Sequence, residues 1–86
     1  MKYIVTKNIA TTEEEIFLFP NTVNHDCMGE VLEGIKNQTH DSRDWRMAIS
    51  AGFVDINGTC YGNSESLGLE SRPAEDTELL EETYYV

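Results

Sequence analysis

His25, Asp26 and Cys27 stand in succession, which brings an imidazole, a carboxylate and a thiol within three positions of the chain. A thiol beside a base is the raw material of a covalent nucleophile. The apolar spacing of this segment predicts a helix, however, and residues two apart lie about 200° around a helix. His25 and Cys27 therefore cannot face each other within it. Cys27 also falls on the apolar stripe, where a free cysteine behaves as a small buried hydrophobe. The expectation is a core thiol, with His25 exposed to water in the first turn.

Cys27, Cys60, His25 and His40 are the only cysteines and histidines. Four such ligands would suit zinc in number, but none are paired as C-x₂-C or H-x₃-H, the tight spacings that structural zinc sites use. Nor is there a D-x-D-x-D-G loop for calcium. Gly62-Asn63-Ser64-Glu65-Ser66 begins like the hydrolase elbow G-x-S-x-G and ends on serine where that strained turn requires glycine. Neither G-x-G-x-x-G nor a P-loop lysine occurs. No catalytic residue, metal or cofactor is expected, and the chain reads as a non-enzymatic protein.

The elements that would position these residues are short. Lys2 to Asn8 and Glu15 to Phe19 carry β-branched and aromatic residues and read as two strands of a hairpin, the second ended by Pro20. Glu13-Glu14-Glu15 stands at the second strand's entry, where charge resists edge-to-edge pairing and is otherwise solvated. Asn24 caps a helix from about His25 to Asn37, with Asp26 in the first turn and Cys27, Met28, Val31, Leu32 and Ile35 as its apolar stripe. Glu30 and Glu33 lie off that stripe.

Gln38 to Asp44 is polar and reads as a loop. Trp45 to Val54 reads as a long strand with Trp45, Met47, Ile49, Ala51 and Phe53 on one face. Asn57-Gly58 signals a type I′ hairpin turn, in which both central residues take positive φ. Gly62 to Glu70 is a small-residue loop. Ser71 to Asp76 carries helix-start chemistry, with Pro73 near the first turn and either a serine or Asp76 as cap, before a short helix over 73–82 anchored by Leu79 and Leu80. The fold class expected is α+β, one small domain of 86 residues with an antiparallel sheet and the order ββαββα.

Size and charge then narrow the function. A single small core leaves little room for a cofactor cavity with a lid, whereas a binding surface needs only the outside of the fold. Sixteen acidic against six basic side chains give a formal charge of −10. From Glu65 onward there are seven carboxylates and one cation, Arg72, a net −6. Such a chain repels nucleic acid and an anionic membrane face, and is drawn to positive protein surfaces. With no long apolar run and no signal-like start, a cytosolic protein with reduced thiols is expected. Acids three or four apart on a helix lie about 5–6 Å from each other, comparable with successive phosphates of one strand. Asp26 with Glu30, Glu30 with Glu33, Glu75 with Glu78 and Glu78 with Glu82 meet that spacing.

The stretches Glu15-Ile16-Phe17-Leu18-Phe19-Pro20, Asn24-His25-Asp26-Cys27-Met28, Ser50-Ala51-Gly52-Phe53-Val54 and Cys60 to Leu69, with the size and acidity of the whole, resemble small phage and mobile-element proteins of the anti-CRISPR and anti-defence type. That resemblance implies a non-enzymatic inhibitor in the host cytosol that mimics DNA and blocks its access. The implied partner is a basic host protein or nucleoprotein complex such as CRISPR–Cas, met by a monomer or homodimer. Glu30, Glu33, Glu75, Asp76, Glu78, Glu81 and Glu82 would then supply charge, and Tyr84 and Tyr85 amphipathic anchor area. The alternative reading is a structural or regulatory accessory protein that self-associates through an open sheet edge.

Overall fold

The computed structural model describes residues 1–38 and 46–84, with the helical backbone alone for 33–38. Strand β1 (Lys2–Asn8) pairs antiparallel with β2 (Glu14–Phe19) on one side and β3 (Arg46–Val54) on the other, and β4 (Cys60–Tyr61) closes the sheet in the order β2-β1-β3-β4. Helix α1 (His25–Gln38) links β2 to β3, and α2 (Pro73–Tyr84) ends the described chain. The expected α+β order ββαββα holds, with one addition. Where a loop is expected over 62–70, Asn63–Ser64 (β5) and Leu69–Glu70 (β6) form a short antiparallel ribbon between β4 and α2.

The helices cover opposite faces of the sheet. Tyr3 and Val5 of β1 point into a cluster with Ile16, Cys60 and Leu80 of α2. Ile4, one pleat over, packs with Phe19, Ala51 and Leu32 of α1, and Leu67 and Leu69 of the ribbon lean on the same cluster. A strand read from sequence as half-buried is therefore covered on both sides, and Tyr3 to Thr6 are all buried.

Strand β3 departs from the period-two expectation. Its pairing with β1 slips between Val5 and Thr6, which oppose Ser50 and Ala48 and leave Ile49 as the extra residue of a β-bulge. Ile49 consequently packs on the α2 side, while Ala48 and Ala51 pack on the α1 side and Met47 is half exposed. The shared face predicted for Met47, Ile49, Ala51 and Phe53 does not exist, and Trp45 lies outside the described residues.

The hairpin after β3 forms as expected, with a different turn. Gly58 donates to the Asp55 carbonyl at 3.0 Å, and of Asn57 and Gly58 only the glycine takes positive φ, 80°. Asp55 Oδ1 selects this geometry by accepting from the Asn57 and Thr59 amides at 2.8 and 3.0 Å. The turn leaves Ile56 wholly exposed at its tip.

Candidate functional site

Helix α2 begins where Arg72 is pinned. Pro73 occupies the first helical position, where its missing N–H costs nothing. The Asp76 carboxylate reaches back to accept the Arg72 amide at 2.9 Å and the Arg72 guanidinium at 3.1 Å from Nε. Its Oδ2 also accepts the Tyr3 hydroxyl at 2.6 Å, and Arg72 Nη2 extends to Glu14 at 2.5 Å. Asp76 is completely buried. This corrects its assignment to a partner-binding surface, because its charge is consumed in joining α2 to β1 and, through Arg72, to β2.

The four glutamates of α2 face outward. Glu75, Glu78 and Glu82 line one side of a groove of about 370 Å³ whose far wall is Thr12 and Glu14, with Leu79 at its base. Glu81 is exposed on the opposite flank, three residues before Tyr84, itself half exposed. The last turn of α2 contains no basic residue. Carboxylates at the negative end of a helix dipole are unfavourably placed by a few tenths of a kcal/mol each, so the isolated fold gains nothing from them there.

The two described arginines are already engaged. Arg72 binds Asp76 and Glu14, and Arg46 binds Glu15 at 2.8 Å. Glu14 and Glu15, expected as a solvated guard at the strand entry, are instead partners in ion pairs that close over the two sheet faces. The charge they would have added to the surface is largely cancelled.

Glu30 is exposed on α1, on the other face of the sheet from α2, so the two acidic helices do not form one continuous track. Glu33 belongs to the described helical backbone only, and Tyr85 and His40 lie outside the described residues.

The enzyme-like constellations separate in space. His25 is buried, its Nε2 2.9 Å from the Gly52 carbonyl and its ring edge-on to Phe19 and Phe53. Cys27 is exposed, so together with the buried His25 the expectation is reversed for both residues of the first helical turn, whereas Cys60 is buried. The inward face of α1 runs through His25, Met28 and Leu32, offsets of zero, three and seven, and leaves Val31 on the outside. Offsets counted from His25 would have found that stripe, but a histidine reads as polar when its acceptor is 27 residues away. Gly52 suits this site because any Cβ there would run into the Tyr61 carbonyl, so β4 can lie close against β3 while Gly52 O remains free for the imidazole.

Cys60 packs on the α2 side and α1 covers the other, so Cys27 and Cys60 cannot share a metal. Among the described residues no three His, Cys, Asp or Glu side chains are grouped to hold an ion. Ser64, at the centre of the elbow-like run, is buried and accepts the Leu67 amide at 3.3 Å, which makes it a turn-forming residue of the β5–β6 ribbon. No described helix is long and apolar enough to cross a membrane. No protein-family model, curated protein or solved structure matches the chain.

Proposed function

We propose that this protein is a non-enzymatic inhibitor that docks the outward face of α2 on a Lys- and Arg-rich groove of a nucleic-acid-binding host complex and denies DNA access to it. The observation that supports this reading is the convergence of Glu75, Glu78 and Glu82 on one groove while Arg72 and Arg46 are occupied elsewhere. Charge arranged in this way steers association with a positive surface and speeds encounter. The anti-CRISPR-type resemblance of the sequence supplies the class of target. Asp76 has no part in the contact, and Glu30 belongs to a second, separate face.

The test is competition with DNA across a salt series. A nucleic-acid-binding partner captured from bacterial lysate and saturated with the protein is expected to lose double-stranded DNA binding. A saturated partner that still takes up DNA overturns the mimic mechanism. Reversing Glu78 and Glu82 to lysine together should slow association on the order of tenfold at low salt.

One feature favours self-association as a second reading. Strand β2 is an edge of the four-stranded sheet, and its guarding acids Glu14 and Glu15 are neutralised by ion pairs. Light scattering over a concentration series decides it: a mass that stays at one chain removes this reading.

A further inference from the structure

A polar pocket opens where the start of α1, the end of β3 and the β5–β6 ribbon meet the first residue of β1. Its volume is about 550 Å³, within the roughly 300–1,000 Å³ of small-molecule sites. It shares no residue with the groove of Glu75, Glu78 and Glu82.

Two of its lining residues are buried polar ones, His25 at 5% and Ser64 at 2% exposure. The Gly52 carbonyl can only accept, so His25 Nε2 carries the hydrogen of their 2.9 Å contact and Nδ1 is left as an acceptor. Nδ1 has no partner among the described residues. Ser50 Oγ alone among them is both unpartnered and sealed from solvent, so Nδ1 is reached from the pocket that His25 lines. Ser64 Oγ accepts the Leu67 amide and lies 3.4 Å from the Ser66 hydroxyl, which holds the turn of the ribbon at the pocket wall. Phe53 adds apolar surface, its ring 5.6 Å from that of His25. Gly62 permits this placement, since a Cβ there would come within 3.0 Å of the Phe53 ring.

The remaining polar groups select among ligands. Asp26 engages one carboxylate oxygen on the Cys27 amide at 3.0 Å. The side chains of Glu65, Asn24 and Asn63 make no hydrogen bond among the described residues. Lys2, the one lysine of the wall, already donates to the Val23 carbonyl at 2.9 Å. An anion would therefore face two carboxylates, and an ammonium ligand would face Lys2. A metal ion finds no three grouped ligands among the described residues. An apolar molecule would strand the polar wall without partners. The complement of this wall is a neutral molecule that gives several O–H hydrogens to the carboxylates and His25 Nδ1, accepts from the amides and Lys2, and lays C–H surface on Phe53.

We propose that this pocket binds a sugar ring carrying adjacent hydroxyls, whether of a saccharide or the ribose of a nucleoside. The site is independent of the α2 docking face, and neither depends on the other.

The test titrates the isotope-labelled full chain, followed by amide NMR, with glucose, galactose, N-acetylglucosamine and uridine. Dideoxyuridine, which lacks the adjacent ribose hydroxyls, and inorganic phosphate are the controls. At least one of the sugars or uridine is expected to shift the amides of Asn24 to Asp26 and Asn63 to Ser66. A ligand of this size bound with ordinary efficiency has a Kd on the order of 1 mM. Binding should be the same at low and high salt, because the ligand is neutral. Glu65→Ala and Asn63→Ala replace exposed side chains, and each should weaken binding about tenfold with an unchanged circular dichroism spectrum. Binding by a monosaccharide alone assigns a saccharide. Binding by uridine, with a loss of about tenfold in dideoxyuridine, assigns the ribose. No shift at these amides by any sugar or uridine at about 10 mM, ten times the expected Kd, overturns the proposal. So does binding of phosphate in their place, equal binding of uridine and dideoxyuridine with no monosaccharide bound, or full affinity in both variants.

Discussion

Replacing Asp76 by alanine should cost far more than replacing any other carboxylate of α2. The buried carboxylate accepts from the Tyr3 hydroxyl, the Arg72 amide and the Arg72 guanidinium. Without it, the Tyr3 hydroxyl loses its charged acceptor at zero exposure, and Arg72 retains only Glu14. Removing one member of a buried ion pair costs about 3–5 kcal/mol. Tyr3→Phe should cost about 1.5–3 kcal/mol, the range of one hydrogen bond to a charged group. The two changes remove the same contact, so the double variant should cost little more than Asp76→Ala alone. Urea unfolding followed by far-ultraviolet circular dichroism measures all three. With a slope of about 1–1.5 kcal/mol per molar for so small a domain, the Asp76→Ala midpoint should fall by about 2–5 M, or the domain should fail to fold. Glu78→Gln should move the midpoint little or raise it, because it relieves repulsion from Glu75 and Glu82, one turn away on the same helix face. A loss below about 1 kcal/mol for Asp76→Ala, or strict additivity with Tyr3→Phe, would refute the central role given to this network.

Alkaline pH should destabilise the fold through the same residues. The Tyr3 hydroxyl is held well above its ordinary range, first by burial and then by its hydrogen bond to Asp76. Its contribution is complete below the unfolded pKa near 10 and declines above it by up to about 1.4 kcal/mol per pH unit, as the unfolded chain loses a proton that the folded one keeps. Cys60, raised chiefly by burial, acts in the same direction from about pH 8.5. Tyr3→Phe should therefore flatten the stability profile above pH 10, and an unchanged slope in that variant would count against the assignment. Ser50 is fully buried at the β3 bulge, and its hydroxyl has no hydrogen-bond partner among the described residues. Ser50→Ala should stabilise the protein by about 1 kcal/mol in the same urea assay, and a loss of that size would show that the hydroxyl is satisfied. Native thiol labelling should modify Cys27 quickly and Cys60 only on unfolding; equal rates would contradict their placement.

Local chemistry made much of this fold legible. The branched and aromatic runs marked β1 and β2, Asn24 with Asp26 marked the start of α1, and Pro73 with its following acids marked α2. Asn57-Gly58 located a hairpin, although the choice of turn depended on the Asp55 side chain accepting two amides. What escaped depends on distant partners. Asp76 looks like one more surface acid until Tyr3, 73 residues away, is set beside it. His25 looks solvated until the Gly52 carbonyl arrives. The bulge at Ile49 is fixed by pairing with β1, and no local pattern encodes a slip of one residue. For the candidate site, the spacing of Glu75, Glu78 and Glu82 was readable from helical periodicity alone. An apolar groove on the opposite flank of α2 was not, because it brings together Met1, a hairpin tip and a helix end.

Docking through α2 is tested most directly by the association rate between this protein and a nucleic-acid-binding partner captured from bacterial lysate. That rate is to be measured for the unaltered chain and for Glu75→Gln, Glu78→Gln and Glu82→Gln combined, at low and high salt. Electrostatic steering by α2 predicts a rate for the unaltered chain that falls steeply with salt, a slower rate for the triple variant at low salt, and convergence of the two at high salt. Identical rates and identical salt dependence for the two proteins would show that the outward face of α2 plays no part in recognition.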